Sequence, residues 1–202
     1  TNLTSITIPD SVTSINDRAF YNCTSLISAT IGNSVTSIGN YAFENCTDLE
    51  SIKIPNLVKK IESHVFDGCR DLKTIQLPKS IEGIDAFAFR NCRKLSTIKL
   101  AKTLQYIKEN AFNGCVNLKT ILIPNSVRSI GDSAFDRCEN LKSITIGNGV
   151  KSIGYGAFRY FKGTSLIIPG SVEEIGATAF NCSYDLAFVS LGKSLKNVGS
   201  SA

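Results

Sequence analysis

Phenylalanine returns at a fixed interval along this chain, and that interval decides what the chain can fold into. Phe stands at 20, 43, 66, 89, 112, 135, 158 and 180, six steps of 23 residues followed by one of 22. Cysteine follows three residues behind at 23, 46, 69, 92, 115 and 138, and leucine six behind at 26, 49, 72, 95, 118 and 141. A register kept by three residue types over so many periods is an internal repeat, and a period of roughly 20 to 50 residues means stacked units rather than a globule.

Each segment of the unit has a physical reading. In Leu49-x-x-Ile52-x-Ile54-Pro55 the two isoleucines fall at period 2, on one face of a short strand, with Ser51 and Lys53 on the other. Pro stops the strand at 9, 55, 78, 124 and 169, because it has no amide proton to continue a ladder. A second extended piece, Val-x-x-Ile at 35/38, 127/130, 150/153 and 172/175, is expected to cross the opposite wall. The Ala-Phe-x-x-Cys-x-x-Leu segment, with its three- and four-residue spacings, predicts a short helical turn. Asn22, Asn45, Gly68, Asn91 and Gly114 precede the cysteines and tolerate the left-handed backbone that ends such a turn. No single unit can bury its own apolar positions; stacked coils about 4.8 Å apart can. The expectation is a strand-dominated α/β solenoid of about nine coils, a single domain over 1–202 and a fragment of a longer array or multidomain protein.

The run Leu118-x-x-Ile121-x-Ile123-Pro124-x-Ser126-Val127-x-x-Ile130-Gly131-x-x-Ala134-Phe135-x-x-Cys138 resembles the BspA-like (Treponema pallidum type) class of leucine-rich repeats. The resemblance extends over the whole chain. It implies a right-handed leucine-rich-repeat solenoid whose parallel sheet lies on the concave side. It also implies a surface or secreted protein of a host-associated microbe, with adhesion to host matrix or cell-surface proteins among the activities of such proteins. It brings no catalytic motif.

The residues that usually carry chemistry are absorbed by the repeat. Seven cysteines include no Cys-x-x-Cys, and stacked side chains about 4.8 Å apart lie beyond relaxed disulfide reach, so free buried thiols are expected. The sole histidine, His64, reads as an exposed loop residue, and the carboxylates form no column. Asn2, Asn22, Asn45 and Asn181 begin Asn-x-Ser/Thr triplets, which read as repeat consensus. With no nucleophile–base pair, metal-ligand spacing or phosphate loop, the chain is expected to be non-enzymatic, with no cofactor and no metal. A net charge of +5, spread along the chain, does not mark a nucleic-acid binder, and no apolar run is long enough to span a bilayer. The seventh unit departs from the pattern. Phe161 stands where Cys belongs, Gly163-Thr164 replaces the Leu position and one residue is missing before Leu166, so a local distortion over 158–188 is expected.

Specificity is left to the outward columns of the strand. One column is almost uniformly hydroxyl: Ser5, Ser28, Ser51, Thr74, Thr97, Thr120, Ser143, Ser165. The other varies. The candidate partner-binding residues are therefore Lys53, Gln76, Lys99, Leu122, Thr145, Ile167 and Phe188, a weakly basic middle followed by exposed apolar side chains. The leading expectation is a protein partner bound by the concave sheet. A structural spacer, and a polyanion or glycan binder using Lys53 and Lys99, are the alternatives.

Overall fold

A computed structural model describes residues 2–202 and shows a β-solenoid. Every complete coil but one contributes a strand of three or four residues and then one of two. The first four coils carry β1 (Ser5–Ile8), β2 (Ser14–Ile15), β3 (Ser28–Ile31), β4 (Ser37–Ile38), β5 (Ser51–Lys53), β6 (Lys60–Ile61), β7 (Thr74–Gln76) and β8 (Gly83–Ile84). The fifth carries only a short strand, β9 (Tyr106–Ile107). The rest supply β10 (Thr120–Ile123), β11 (Ser129–Ile130), β12 (Ser143–Ile146), β13 (Ser152–Ile153), β14 (Ser165–Ile167), β15 (Glu174–Ile175), β16 (Phe188–Ser190) and β17 (Asn197–Val198).

All pairing is parallel and in the register of the repeat: Ser5 opposes Ser28, Thr120 opposes Ser143. The two walls differ in continuity. Seven of the nine short strands run unbroken as β17-β15-β13-β11-β9-β8-β6, and the first two, β2-β4, form a sheet of their own. The long strands fall into three sheets, β1-β3-β5-β7, β10-β12 and β14-β16. The second break is the one expected at the irregular coil, where the missing residue carries Ser152 onto Glu174 in the short wall but leaves β12 and β14 unpaired. The first break, at 97–100, has no counterpart in the sequence pattern.

The third side of each coil corrects the helical turn expected there. It contains no helix, because successive amides alternate between partners. Ala19 N, Tyr21 N and Cys23 N donate to carbonyls three residues back, whereas Arg18 N, Phe20 N and Asn22 N donate to Asn40, Ala42 and Glu44 of the next coil. A helix needs every amide bonded within its own segment. Two left-handed residues per coil produce the alternation, one before the Cys column (Asn22, Asn45, Gly68, Asn91, Gly114) and one before the Ala column (Arg18, Tyr41, His64, Phe87, Asn110).

Inside, the columns are continuous. The Phe rings stack from 20 to 180 with centroids 5.0 to 5.7 Å apart. The Cys column is buried from 23 to 138 and does more than fill space. Each thiol from Cys46 to Cys138 donates to a Phe carbonyl of the preceding coil, at 3.1 to 3.3 Å. A small residue that can also donate is what that position requires. Burial pushes the Cys46 thiol up to about 12, and those of Cys69, Cys92, Cys115 and Cys138 well above the ordinary range.

Candidate functional site

The long-strand wall presents the seven candidate residues to solvent: Lys53, Gln76, Lys99, Leu122, Thr145, Ile167 and Phe188 are all exposed. Three of them are large and apolar, with Leu122 at 64%, Ile167 at 68% and Phe188 at 60% exposure. Strand alternation is the cause. In β10 the pattern places Ile121 and Ile123 inward, which turns Thr120 and Leu122 outward.

These residues do not share one spot. Lys53, Gln76, Lys99, Leu122 and Thr145 line a run of adjoining grooves where the long strands turn the corner past Pro78 and Pro124. The largest, about 920 Å³, reaches from Thr97 and Lys99 across Leu122 to Thr145 and Asn148. Its neighbour, about 520 Å³, lies between Gln76-Leu77-Pro78-Lys79 and Lys99–Lys102. Ile167 and Phe188 stand apart, on the paired strands β14 and β16, with Phe188 opposite Ser165 and therefore in the hydroxyl column. Lys79 and Lys102 also line the grooves, and the strand columns could not have pointed to them because they sit in the corner.

Some lysines elsewhere meet carboxylates one coil away: Lys73 with Glu50 at 2.7 Å, Lys94 with Asp71 at 2.8 Å, Lys108 with Asp85 at 2.9 Å. Others, such as Lys119 and Lys142, do not, and what marks the corner is that its unpaired lysines border grooves free of carboxylates. Lys53, Lys79, Lys99 and Lys102 take part in no ion pair among the described residues, and no carboxylate lines the grooves.

A second constellation corrects two expectations. His64 is not an exposed loop residue. Its ring is stacked between Tyr41 and Phe87, each centroid 4.6 Å away, and its Nδ1 lies 3.0 Å from the Asp67 carboxylate. Nor are the carboxylates wholly without a column, because the position after the Phe carries Glu44, Asp67, Arg90, Asp136 and Arg159, with Tyr21, Asn113 and Asn181 in the other coils. Asp67 accepts from Arg90 Nη2 at 2.6 Å, and Asp136 from Arg159 Nη2 at 2.6 Å. Those hydrogen bonds hold both guanidinium groups above their ordinary range, and burial raises Glu44. Glu44, His64 and Asp67 bring three potential metal donors within 4.8 Å of one another. Both Asp67 oxygens already accept from Arg90, however, so the cation at this place is one the chain supplies. The Asp67–Arg90 pair joins two coils there.

The Asn-x-Thr triplets behave as repeat consensus as well. Asn45 Nδ2 donates to Asn22 Oδ1 at 3.0 Å, a ladder step that a glycan on Asn45 would break.

Comparison with known proteins agrees with this geometry. A family model described as a BspA type leucine rich repeat region matches in six copies, over residues 1–119 and 105–202. A leucine-rich repeat protein from Bacteroides ovatus is 26% identical with a TM-score of 0.68, the match covering 100% of this chain and 72% of that one. The leucine rich repeat protein of T. pallidum is 28% identical with a TM-score of 0.73, covering 79% of this chain and 77% of its own. A leucine-rich repeat protein from Eubacterium ventriosum, 15% identical with a TM-score of 0.56 over 98% of this chain and 83% of that one, shares the fold. No curated protein matches.

Proposed function

The chain belongs to the BspA-type leucine-rich repeat family, and from that premise we propose a non-enzymatic protein-interaction module, at a cell surface or secreted, whose long-strand wall receives its partner. One observation carries the reading. On a wall whose first outward column is almost uniformly hydroxyl, the second exposes Leu122 and Ile167 more than 60% each, with basic and amide side chains beside them. Solvent-facing apolar residues on a repeated polar column have no packing role of their own, and such positions are where interface energy concentrates. Burying such a side chain in an interface removes about 1.5 to 3 kcal/mol of unfavourable hydration.

The adhesion reading follows from the resemblance to surface leucine-rich repeat proteins, with host matrix or host cell-surface proteins as partners. Pull-down from such a surface tests it. Leu122→Asp combined with Ile167→Asp is expected to abolish capture while the circular dichroism spectrum and melting temperature stay as in the wild type. Undiminished capture by that double variant would remove the long-strand wall from the reading. The spacer alternative draws support from the unbroken seven-stranded short wall, which suits a rod that sets distance. It requires that no partner be captured at all.

A further inference from the structure

The long-strand wall opens at one coil that has every sequence mark of a strand. Thr97-Ile98-Lys99-Leu100 keeps the period-2 alternation of its neighbours. Yet its backbone amides and carbonyls form no hydrogen bond with either adjoining coil; coil-to-coil bonding is found before it, from Lys119 N to Ser96 O, and after it, from Gln105 N to Glu82 O. Four consecutive residues thus hold unpaired main-chain donors and acceptors beside the grooves. Lys79 and Lys102 are equivalent positions on successive coils, so the corner beside this opening carries two unpaired ammonium groups one coil apart.

We infer that this corner binds an extended acidic peptide segment of the partner. Its carboxylates meet Lys53, Lys79, Lys99 and Lys102, its alternate apolar side chains rest on Leu77, Leu100 and Leu122, and its main chain pairs with Thr97–Leu100. The inference rests on the protein-interaction reading and names the chemistry that the wall selects. Three observations converge on an extended peptide. Thr97–Leu100 lies on a coil stacked between two others rather than at a sheet edge, but its unpaired backbone groups are of the kind that strand addition uses. The larger groove is lined by Ile98, Leu100, Leu122, Ile123 and Pro124, an apolar floor that a sulfated glycan would leave unused. Single-stranded nucleic acid is disfavoured because no aromatic side chain lines any of the three grooves to stack a base.

The test is fluorescence anisotropy on the whole chain with a labelled peptide of alternating Glu and Val. Saturable binding is expected, weakening as salt is raised, as it should for lysines at a protein surface. Lys79→Glu with Lys102→Glu should lower affinity by roughly tenfold or more, and the milder Lys79→Gln/Lys102→Gln pair by about threefold to tenfold. Melting curves of both confirm the fold, and the Gln pair decides should the Glu pair fail to fold. N-methylation of alternate peptide amides should also cost about tenfold, since each removes a main-chain donor. Three results overturn the inference: no binding of the Glu-Val peptide, equal binding of a Lys-Val peptide, or polyglutamate and heparin binding as tightly as the Glu-Val peptide. The last would make the corner a general polyanion surface. If the peptide fails while the Leu122/Ile167 variant still abolishes partner capture, the wall is the interface and only the acidic-strand chemistry is wrong.

Discussion

Asp136 and Glu50 both face a cation one coil away, and comparing them shows which charges hold the solenoid together. The Asp136 side chain is 3% exposed and bonds Arg159 Nη2 at 2.6 Å, whereas Glu50 is half exposed and meets Lys73 at 2.7 Å. Distance does not separate them; water does. Removing one partner of a buried pair strands the other in a low-dielectric site, while an exposed pair is replaced by solvent. Asp136→Ala is therefore expected to cost about 3 kcal/mol, the low end for a buried pair because Arg159 can swing outward. Glu50→Ala should cost under about 1 kcal/mol. Urea denaturation of the two variants against the wild type measures the difference, and equal losses would mean that burial does not govern these pairs. The same scale governs the thiols. Six cysteines are buried and Cys182 is only partly so. A thiol reagent should modify about one cysteine on the native protein and all seven once it is unfolded, both counts read by absorbance. The strand columns were legible at this scale because alternation alone dictates which side faces water. The Asp67–Arg90 and Asp136–Arg159 pairs were not, because their column mixes acids, arginines and neutral residues in no fixed order.

In the seventh coil two departures from the consensus prove to be one adaptation. Phe161 fills the Cys column and is buried, and a side-chain carbon at Gly163 would collide with its ring. The sequence shows both residues, but only packing shows that the glycine is there to make room for the phenylalanine. Gly163→Ala is expected to destabilise by about 1 to 3 kcal/mol through overpacking. Gly163→Ala on a Phe161→Cys background should cost less than on the wild type, and denaturant midpoints of the single and double variants give that coupling. On the short wall, Glu173 links three coils by bonding Lys151 at 3.0 Å and Lys196 at 2.7 Å. Those hydrogen bonds and charges hold its carboxyl down to about 2. A lowered folded value favours the ionised form. The stabilisation is therefore fully present above the ordinary value of 4.5 and lost as pH falls from there through about 2. Glu173→Gln should melt below the wild type at neutral pH, with the gap closing across that acid window. A gap that stays constant down to the bottom of that window would mean the residue acts by packing alone.

Taken whole, the molecule is one continuous core under two unequal walls. The period made the stack, the core columns and the short wall legible, since each follows from repeating a pattern that buries itself only when stacked. It gave no sign that the long wall opens at 97–100, because Thr97-Ile98-Lys99-Leu100 carries the same alternation as the paired strands, and pairing is a relation between coils that one coil's pattern does not contain. The two walls should accordingly differ in local stability, since backbone hydrogen bonds open independently where neighbours do not support them. Amides of Thr97–Leu100 lack coil-to-coil bonds, whereas Thr120–Ile123 pair with Ser143–Ile146 in full register. Hydrogen–deuterium exchange read by mass spectrometry should find peptides covering 97–100 exchanging at least about tenfold faster than those covering 120–123. Residues 106–107 on the short wall, in the same coil, should stay protected because β9 is paired on both sides. Slow exchange at 97–100 would show the long wall closed in solution and remove the main-chain part of the acidic-strand inference. Fast exchange that slows on adding the Glu-Val peptide would place the peptide's backbone against those four residues.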